Sequence, residues 1–335
     1  MNILKKACVF IGMAVGAGFA SGREVTDFFL VFGPDWDKGL LFGGILFFIT
    51  ACAISYIVRK HNIRDYPEFL SVVLGGMPAV FTQWVSGLFF IMMFYAMVSA
   101  AGAAAEQFFN MPYMYGTAFF IIVCAVILLK GIKAIEDISV MLVPFLMAGI
   151  IFISLFSKGD GQALDVCGRG SVYISAVIYV SYNIIAAPAI IISSQKSKSV
   201  FEDIAIGILC GAALTVMGIA VGKAIISSPQ TVKLDFPLAG AAAMSKPGFK
   251  YCYMAVFLTA VLTTALCNGT AGADFLCDKI CLKRKTAVII LILTAFPMSL
   301  ISFSAFVSKI YPVFGFAGIL QLVGTVVFLL RKTKN

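Results

Sequence analysis

Charge is scarce in this chain. Only 12% of its 335 residues are Asp, Glu, Lys or Arg, against 61% hydrophobic. A soluble domain cannot be built from that balance, which fits a chain that crosses a bilayer many times. Histidine is nearly absent: His61 stands alone in a basic connection, so no His-based metal site or relay can form. The nine cysteines lie mostly inside apolar runs, with no disulfide framework and no CxxC pair. Cys277 and Cys281 are four apart but lack the histidines a zinc site would add. No nucleophile–base pair, phosphate loop or carboxylate dyad is present, so the chain is not expected to be an enzyme.

What is present is a series of apolar runs of about 20 residues, the length that spans a membrane. Ten are expected: Ala7–Phe32, Gly39–Val58, Val80–Ala104, Tyr113–Leu129, Ile138–Phe156, Val172–Ser193, Ile204–Ile226, Phe249–Leu276, Ala287–Phe303 and Phe306–Leu330. The amino terminus imitates a signal peptide, with Lys5 and Lys6 before an apolar stretch and small residues at Gly18-Phe19-Ala20. The apolar run resumes from Val25, which argues against cleavage. With the amino terminus inside, the inner segments carry 16 Lys and Arg and the outer segments 8. This asymmetry places both termini in the cytoplasm. It also accounts for the net charge of +9 without any nucleic acid.

The two halves correspond. A shift of about 163 residues brings the centre of the first span onto Asn183, the second span onto the seventh and the third close to the eighth. The long connection Arg59–Ala79 has its counterpart in Ser227–Gly248, on the opposite side. Five spans is an odd number, so the second half enters the membrane inverted. The expected fold is therefore all-α: one polytopic membrane domain over residues 1–335, with ten transmembrane helices as an inverted five-plus-five repeat (1–157 and 158–335). Helices 1 and 6 are broken. That pattern is the signature of secondary transporters, with the site at the midplane.

The first break is written in Gly16, Gly18 and Gly22, followed at once by Arg23 and Glu24. Each glycine costs about 1 kcal/mol against alanine in a helix, and an arginine near the bilayer centre roughly 2.5–3.5 kcal/mol. A helix interrupted at that depth survives where its backbone lines a cavity or is buried in protein. Ser21-x-x-Glu24 has the form of a capping box that restarts a helix. The restarted half would turn amides and partial positive charge toward an anionic group. Carbonyls freed around Ala14–Ala17 would suit a cation. The same glycines also form Gly12-x-x-x-Gly16 and Gly18-x-x-x-Gly22, which pack continuous helices closely. Glu24 alone can be a cap, and Arg23 and Asp27, four apart, can pair with each other.

The second break is expected at Ser181-Tyr182-Asn183, with a new half-helix from about Pro188, a residue suited to the first helical turn. A proline kink in a continuous helix is the alternative. In the eighth span, Thr263, Thr264, Asn268 and Thr270 form a polar stripe whose oxygens suit a hard cation such as sodium. Such hydroxyls also bond their own helix. Tyr95, mid-membrane in the third span, is a candidate partner for cargo.

Val15-Gly-Ala-Gly-Phe-Ala-Ser-Gly-Arg-Glu24, with Phe28-Phe29 and Phe32-Gly33, resembles the opening of the YkvI-like bacterial membrane proteins. Tyr179-x-Ser-Tyr-Asn183 and the segment Asp235-Phe-Pro-Leu fit the same family. The resemblance covers the whole chain and implies the amino acid–polyamine–organocation (APC) superfamily and a leucine-transporter-like fold. It implies that the first and sixth spans bind substrate, that the first and eighth share a sodium site, and that Ser227–Gly248 is an outer lid. The fifth span lacks the lysine that stands in for a cation in some relatives, which tilts the coupling ion toward sodium, with Glu24 as a proton carrier the other option. The tenth span has no acidic partner for Arg23, which departs from the outer gate of the best-known relatives.

The expected function is a sodium-coupled secondary transporter, in a bacterial cytoplasmic membrane, for a small carboxylate-bearing solute such as an amino acid. Ala17, Gly18, Phe19, Ser21, Gly22, Tyr95, Tyr179, Ser181, Tyr182 and Asn183 are the candidate substrate residues, with the Ser21 and Gly22 amides receiving the carboxylate. Arg23, Glu24 and Pro188 are assigned to gating or capping. Ala17, Thr263 and Thr264 are the candidate sodium ligands. Expected partners are the solute and the bilayer. The alternatives are a nucleobase or compatible-solute transporter, or a sensor of the same fold that binds without transporting.

Overall fold

The computed structural model describes residues 3–130, 132–156, 170–193, 197–245 and 248–332. Among them there are helices and no strands. Six helices are long and apolar enough to cross a membrane. These are α4 (Trp36–Lys60), α6 (Gly76–Phe109), α7 (Tyr113–Lys130), α11 (Val200–Ile226), α13 (Phe249–Ile280, apolar from Lys250) and the final helical stretch Phe303–Arg331. Leu41, Phe119, Ile122, Phe201, Leu293 and Phe316 are large apolar side chains on the outside of the bundle. Water would penalise such a surface, and lipid does not.

The interrupted first span is α1 (Ile3–Ala14), α2 (Ala17–Ala20) and α3 (Arg23–Phe28), followed by a 3₁₀ turn at Leu30–Phe32. The sixth is α9 (Val172–Asn183) and α10 (Ala187–Ser193), so the chain restarts one residue before Pro188 rather than kinking through it. A short helix α5 (Tyr66–Val73) precedes α6, and α8 spans Ile132–Phe156. The segment expected as an outer lid folds as a 3₁₀ turn at Pro229–Thr231 and α12 (Pro237–Ser245). After α14 (Arg284–Met298), the last span starts as α15 (Phe303–Ala305), passes through a π turn at Phe306–Ile310 and continues as α16 (Tyr311–Lys332). π turns inside helices are uncommon and often lie at functional sites.

Small residues bring the helices together. A methyl on Gly44 would fall 3.0 Å from the Gly211 carbonyl, and one on Gly207 would fall 2.8 Å from the Phe48 carbonyl, so α4 and α11 meet almost backbone to backbone. On α16, a methyl on Gly315 would lie 2.7 Å from the Ile178 carbonyl of α9. These contacts hold α9 beside α3 and α16, where the polar side chains of the interior collect.

Candidate functional site

The first break is held by its own chain. Val15 closes α1 by donating to the Ile11 carbonyl (2.8 Å), and Gly16 is extended at φ −82°, ψ −171°. Gly22, at φ +79°, turns the chain left-handed before α3. The Ser21 hydroxyl donates to the Gly18 carbonyl (2.7 Å) and accepts from the Arg23 amide (3.0 Å). This corrects the expected capping box: Ser21 receives the amide two residues on, and the Glu24 carboxyl does not return to the Ser21 amide. That amide donates to the Ala17 carbonyl (2.8 Å), and the Gly22 amide donates to the Phe19 carbonyl (2.9 Å). Neither is open to a cargo carboxylate in this conformation. The Phe19 amide and the Val15 carbonyl, by contrast, make no hydrogen bond among the described residues.

Glu24 turns back instead to Gly18. A methyl on residue 18 would strike the carboxyl oxygen Oε1 and lie 2.7 Å from Cδ, so glycine makes the room for this side chain. Glu24 is 3% exposed. Tyr179 and Tyr182 direct their hydroxyls at its carboxyl, while neither Oε2 nor the buried hydroxyls of Tyr179, Tyr182 and Tyr311 complete a hydrogen bond of full geometry. All three tyrosines lie within electrostatic reach of the carboxyl. Their rings form one cluster: Tyr179 and Tyr182 meet edge to face at 5.5 Å, Tyr182 and Tyr311 at 5.2 Å, and Phe28 packs 5.5 Å from each of Tyr179 and Tyr182. The other side of Phe28 faces a recess of about 350 Å³ between α3, α9 and the π turn, lined also by Asp27, Ser175 and Ser308. Phe28 thus lines the recess and packs on the tyrosine cluster as well.

The second break is tied from α16. Gln321, fully buried, donates from Nε2 to the Ile184 carbonyl (2.8 Å), and its Oε1 accepts from Tyr66 (2.8 Å), which bonds Ser86 in turn (2.6 Å). Gln321 and Tyr311 were not anticipated. A lone glutamine in an apolar span was the available sign for the first. Nothing in the spacing marks the second, since tyrosine at a span end is common.

The remaining candidates divide. Ser181 is buried near the break with its hydroxyl unpartnered, and the Asn183 side chain donates to the Tyr179 carbonyl of its own helix (3.0 Å). Tyr95 is turned away, its hydroxyl bonded to Thr294 on α14 at 2.6 Å. Thr263 donates to carbonyls of its own helix, Thr259 (3.0 Å) and Ala260 (3.1 Å), while Thr264 faces the first break, 3.3 Å from where a methyl on Gly16 would sit. Arg23 pairs with Asp27 (2.9 Å) and donates to the lid carbonyls of Val232 (3.2 Å) and Leu234 (3.3 Å). The Leu238 amide adds a bond to the Ser21 carbonyl (2.9 Å), so the lid is fastened to the first break itself.

No protein-family profile matches the chain. It is 28% identical over 320 residues to the uncharacterized membrane protein YkvI of Bacillus subtilis (strain 168), covering 93% of this chain and 92% of that one. It is 24% identical over 345 residues to the uncharacterized protein YyaD of the same organism, covering 99% and 98%. Among solved structures, MhsT in complex with L-phenylalanine superimposes with a TM-score of 0.67 at 16% identity, over 98% of this chain and 88% of that one. A Na⁺-coupled sialic acid symporter in its substrate-bound, outward-open state gives 0.67 at 13% identity, over 97% and 79%. The chain is similar over 93% of its length to a membrane protein, and its fold is the leucine-transporter-like fold of these solved structures.

Proposed function

We propose that the chain is a secondary transporter, working by alternating access, for a small carboxylate-bearing solute such as an amino acid. The observation that carries this is the meeting of two interrupted helices around buried, unpartnered polar groups: Glu24, Tyr179, Ser181, Tyr182 and Tyr311. A helix break has no use in an anchor, and unsatisfied polar groups inside a membrane protein are expensive unless something visits them. The ten-span inverted repeat accounts for breaks in corresponding positions of the two halves. Ala17–Gly22 and Tyr179–Asn183 are the segments assigned to the solute, with the Phe19 amide as the open donor in this conformation. Sodium is the proposed ion between α1 and α13, beside Ala17, Thr263 and Thr264. Both termini are assigned to the cytoplasm, with the lid outside.

The purified chain in liposomes, given radiolabelled amino acids, is expected to accumulate at least one of them under an inward ion gradient. Binding without accumulation would identify a sensor. If no amino acid binds, with or without sodium, the carboxylate-cargo assignment is wrong.

A further inference from the structure

Four hydroxyl-bearing or carboxyl groups meet here: Glu24, Tyr179, Tyr182 and Tyr311. Three of them are O–H donors, and the one acceptor they share is the Glu24 carboxyl, toward which Tyr179 and Tyr182 are directed. What the hydroxyls are short of is acceptors, and a second carboxylate brings about four lone-pair sites. Glu24 also occupies the space under Gly18, inside the segment assigned to the solute. A solute carboxylate arriving there meets a protein carboxyl in the same small volume. Two carboxylates sharing one buried site do not both stay ionised; the pair holds one proton.

Among the described residues packed around Glu24, no cation relieves this. On its own helix Glu24 has Arg23 and Asp27, but Arg23 is engaged with Asp27 and the lid. From α9 and α16 the facing titratable groups are Tyr179, Tyr182 and Tyr311. The π turn contributes Lys309 and α11 contributes Lys223, both exposed on the surface, and the described part of α12 carries no charge. The first break and the tyrosine cluster leave the carboxyl nothing but hydroxyls.

We propose that Glu24 is a proton-binding coupling site, so that the solute's carboxylate and one proton enter together and leave together. The inference rests on the transporter reading and deepens it. On the loading side, the Glu24 carboxylate takes a proton from water as the solute carboxylate accepts from the tyrosine hydroxyls and the Glu24 O–H. On the release side, the solute departs and Glu24 returns its proton to water. One proton crosses per solute, and no bond other than O–H forms or breaks.

The experiment uses the full chain in liposomes, with a tritiated mixture of the twenty amino acids as the probe. An inward proton gradient, with sodium equal on both sides, is expected to drive accumulation, and addition of the mixture is expected to alkalinise the outside medium. Binding to the natural chain should weaken as pH rises, by up to about tenfold per pH unit where Glu24 is ionised when empty. Glu24→Gln, a permanent copy of the neutral carboxyl, should give a flat pH profile and no proton-driven accumulation. The gradient and binding measurements need no variant, so misfolding of Glu24→Gln leaves the test intact. Binding that is independent of pH, with accumulation driven by sodium alone, would overturn the proton site and leave the transporter standing. Loss of all binding in a folded Glu24→Gln would overturn it in favour of a cationic solute paired with the carboxylate. If nothing binds to the natural chain at any pH, with or without sodium, the carboxylate-cargo reading falls and the proton site falls with it.

Discussion

Two residues of the first break act by geometry more than by chemistry. Gly22 sits at φ +79°, and a methyl there would lie 2.6 Å from Ile225 Cδ1 and 3.2 Å from the Leu238 amide nitrogen. The left-handed backbone alone costs an L-residue about 1–2 kcal/mol, and the contact with the lid adds to it. Gly22→Ala is therefore expected to lower stability by about 2 kcal/mol, visible as a lower thermal midpoint in detergent; an unchanged midpoint would mean the break relaxes freely. Arg23 is the opposite case, a residue whose charge ties moving parts. Its guanidinium spans Asp27 on α3 and two carbonyls of the lid, geometry that a lysine's point charge cannot reproduce. Hydrogen bonds to charged groups contribute about 1.5–3 kcal/mol, so Arg23→Ala should speed amide exchange across Val232–Leu238 about tenfold or more. The Leu238 amide, bonded to the Ser21 carbonyl, is the most direct reporter. Exchange unaltered there would show that the lid is held by its apolar contacts alone.

At the scale of elements, both breaks were legible because the membrane makes glycine and proline conspicuous. Gly16 and Gly22 in one apolar run and Pro188 in another have few uses besides ending or restarting a helix. The partners of each broken end were not legible. Ser-x-x-Glu suggested reciprocal capping, yet Glu24 prefers the hole left by Gly18, because the left-handed turn at Gly22 carries the chain past the geometry a capping box needs. The long-range ties are set by tertiary packing, which spacing does not encode: Tyr253 donating to the Ala20 carbonyl (3.2 Å), and Gln321 to that of Ile184. Tyr95 shows the converse, since mid-span polarity suggested cargo and the fold gives its hydroxyl to Thr294. Gln321 tests the idea that the second break is held from α16. Gln321→Leu keeps the volume and removes two hydrogen bonds, leaving Tyr66 with Ser86 and the Ile184 carbonyl with the Ala187 amide (3.1 Å), at a cost of about 1–3 kcal/mol for the two. A drop of that size in the unfolding free energy, with Gln321→Glu partly restoring the Tyr66 bond, is the expected pattern. A neutral Gln321→Leu would mean the break is self-sufficient.

Across the whole molecule, two sets of polar ties bear on the first span, one at Val232–Leu238 and one where α1, α4 and α11 come together. At the second, Lys6 pairs with Glu202 (2.9 Å) and Arg59 with Asp203 (2.8 Å), and Ser197 bonds Asp203 as well. With Leu238 bonded to the first break and α1 tied to α11, Glu24 and the three tyrosines around it are buried. Alternating access requires that one set of ties can open while the other holds. Glu202 is the tie that reaches α1 directly. It also accepts from the Lys198 amide (3.0 Å), a bond that Glu202→Gln can keep while the ion pair with Lys6 is lost. The pair is partly exposed at Glu202, so its loss is expected to raise the population of an α1-open state by no more than several-fold. Cys210 reports on it: the thiol is fully buried on α11 and directed at the Ala7 carbonyl (3.9 Å). Alkylation of Cys210, followed peptide by peptide by mass spectrometry, is expected to run several-fold faster in Glu202→Gln, while the amide exchange of Leu238 at the lid stays slow. If both ends loosened together, the two sets of ties would belong to one rigid closure and α1 would not be a separate gate. If Cys210 stayed protected, α1 would be held by packing against α11 and the ion pair would be incidental.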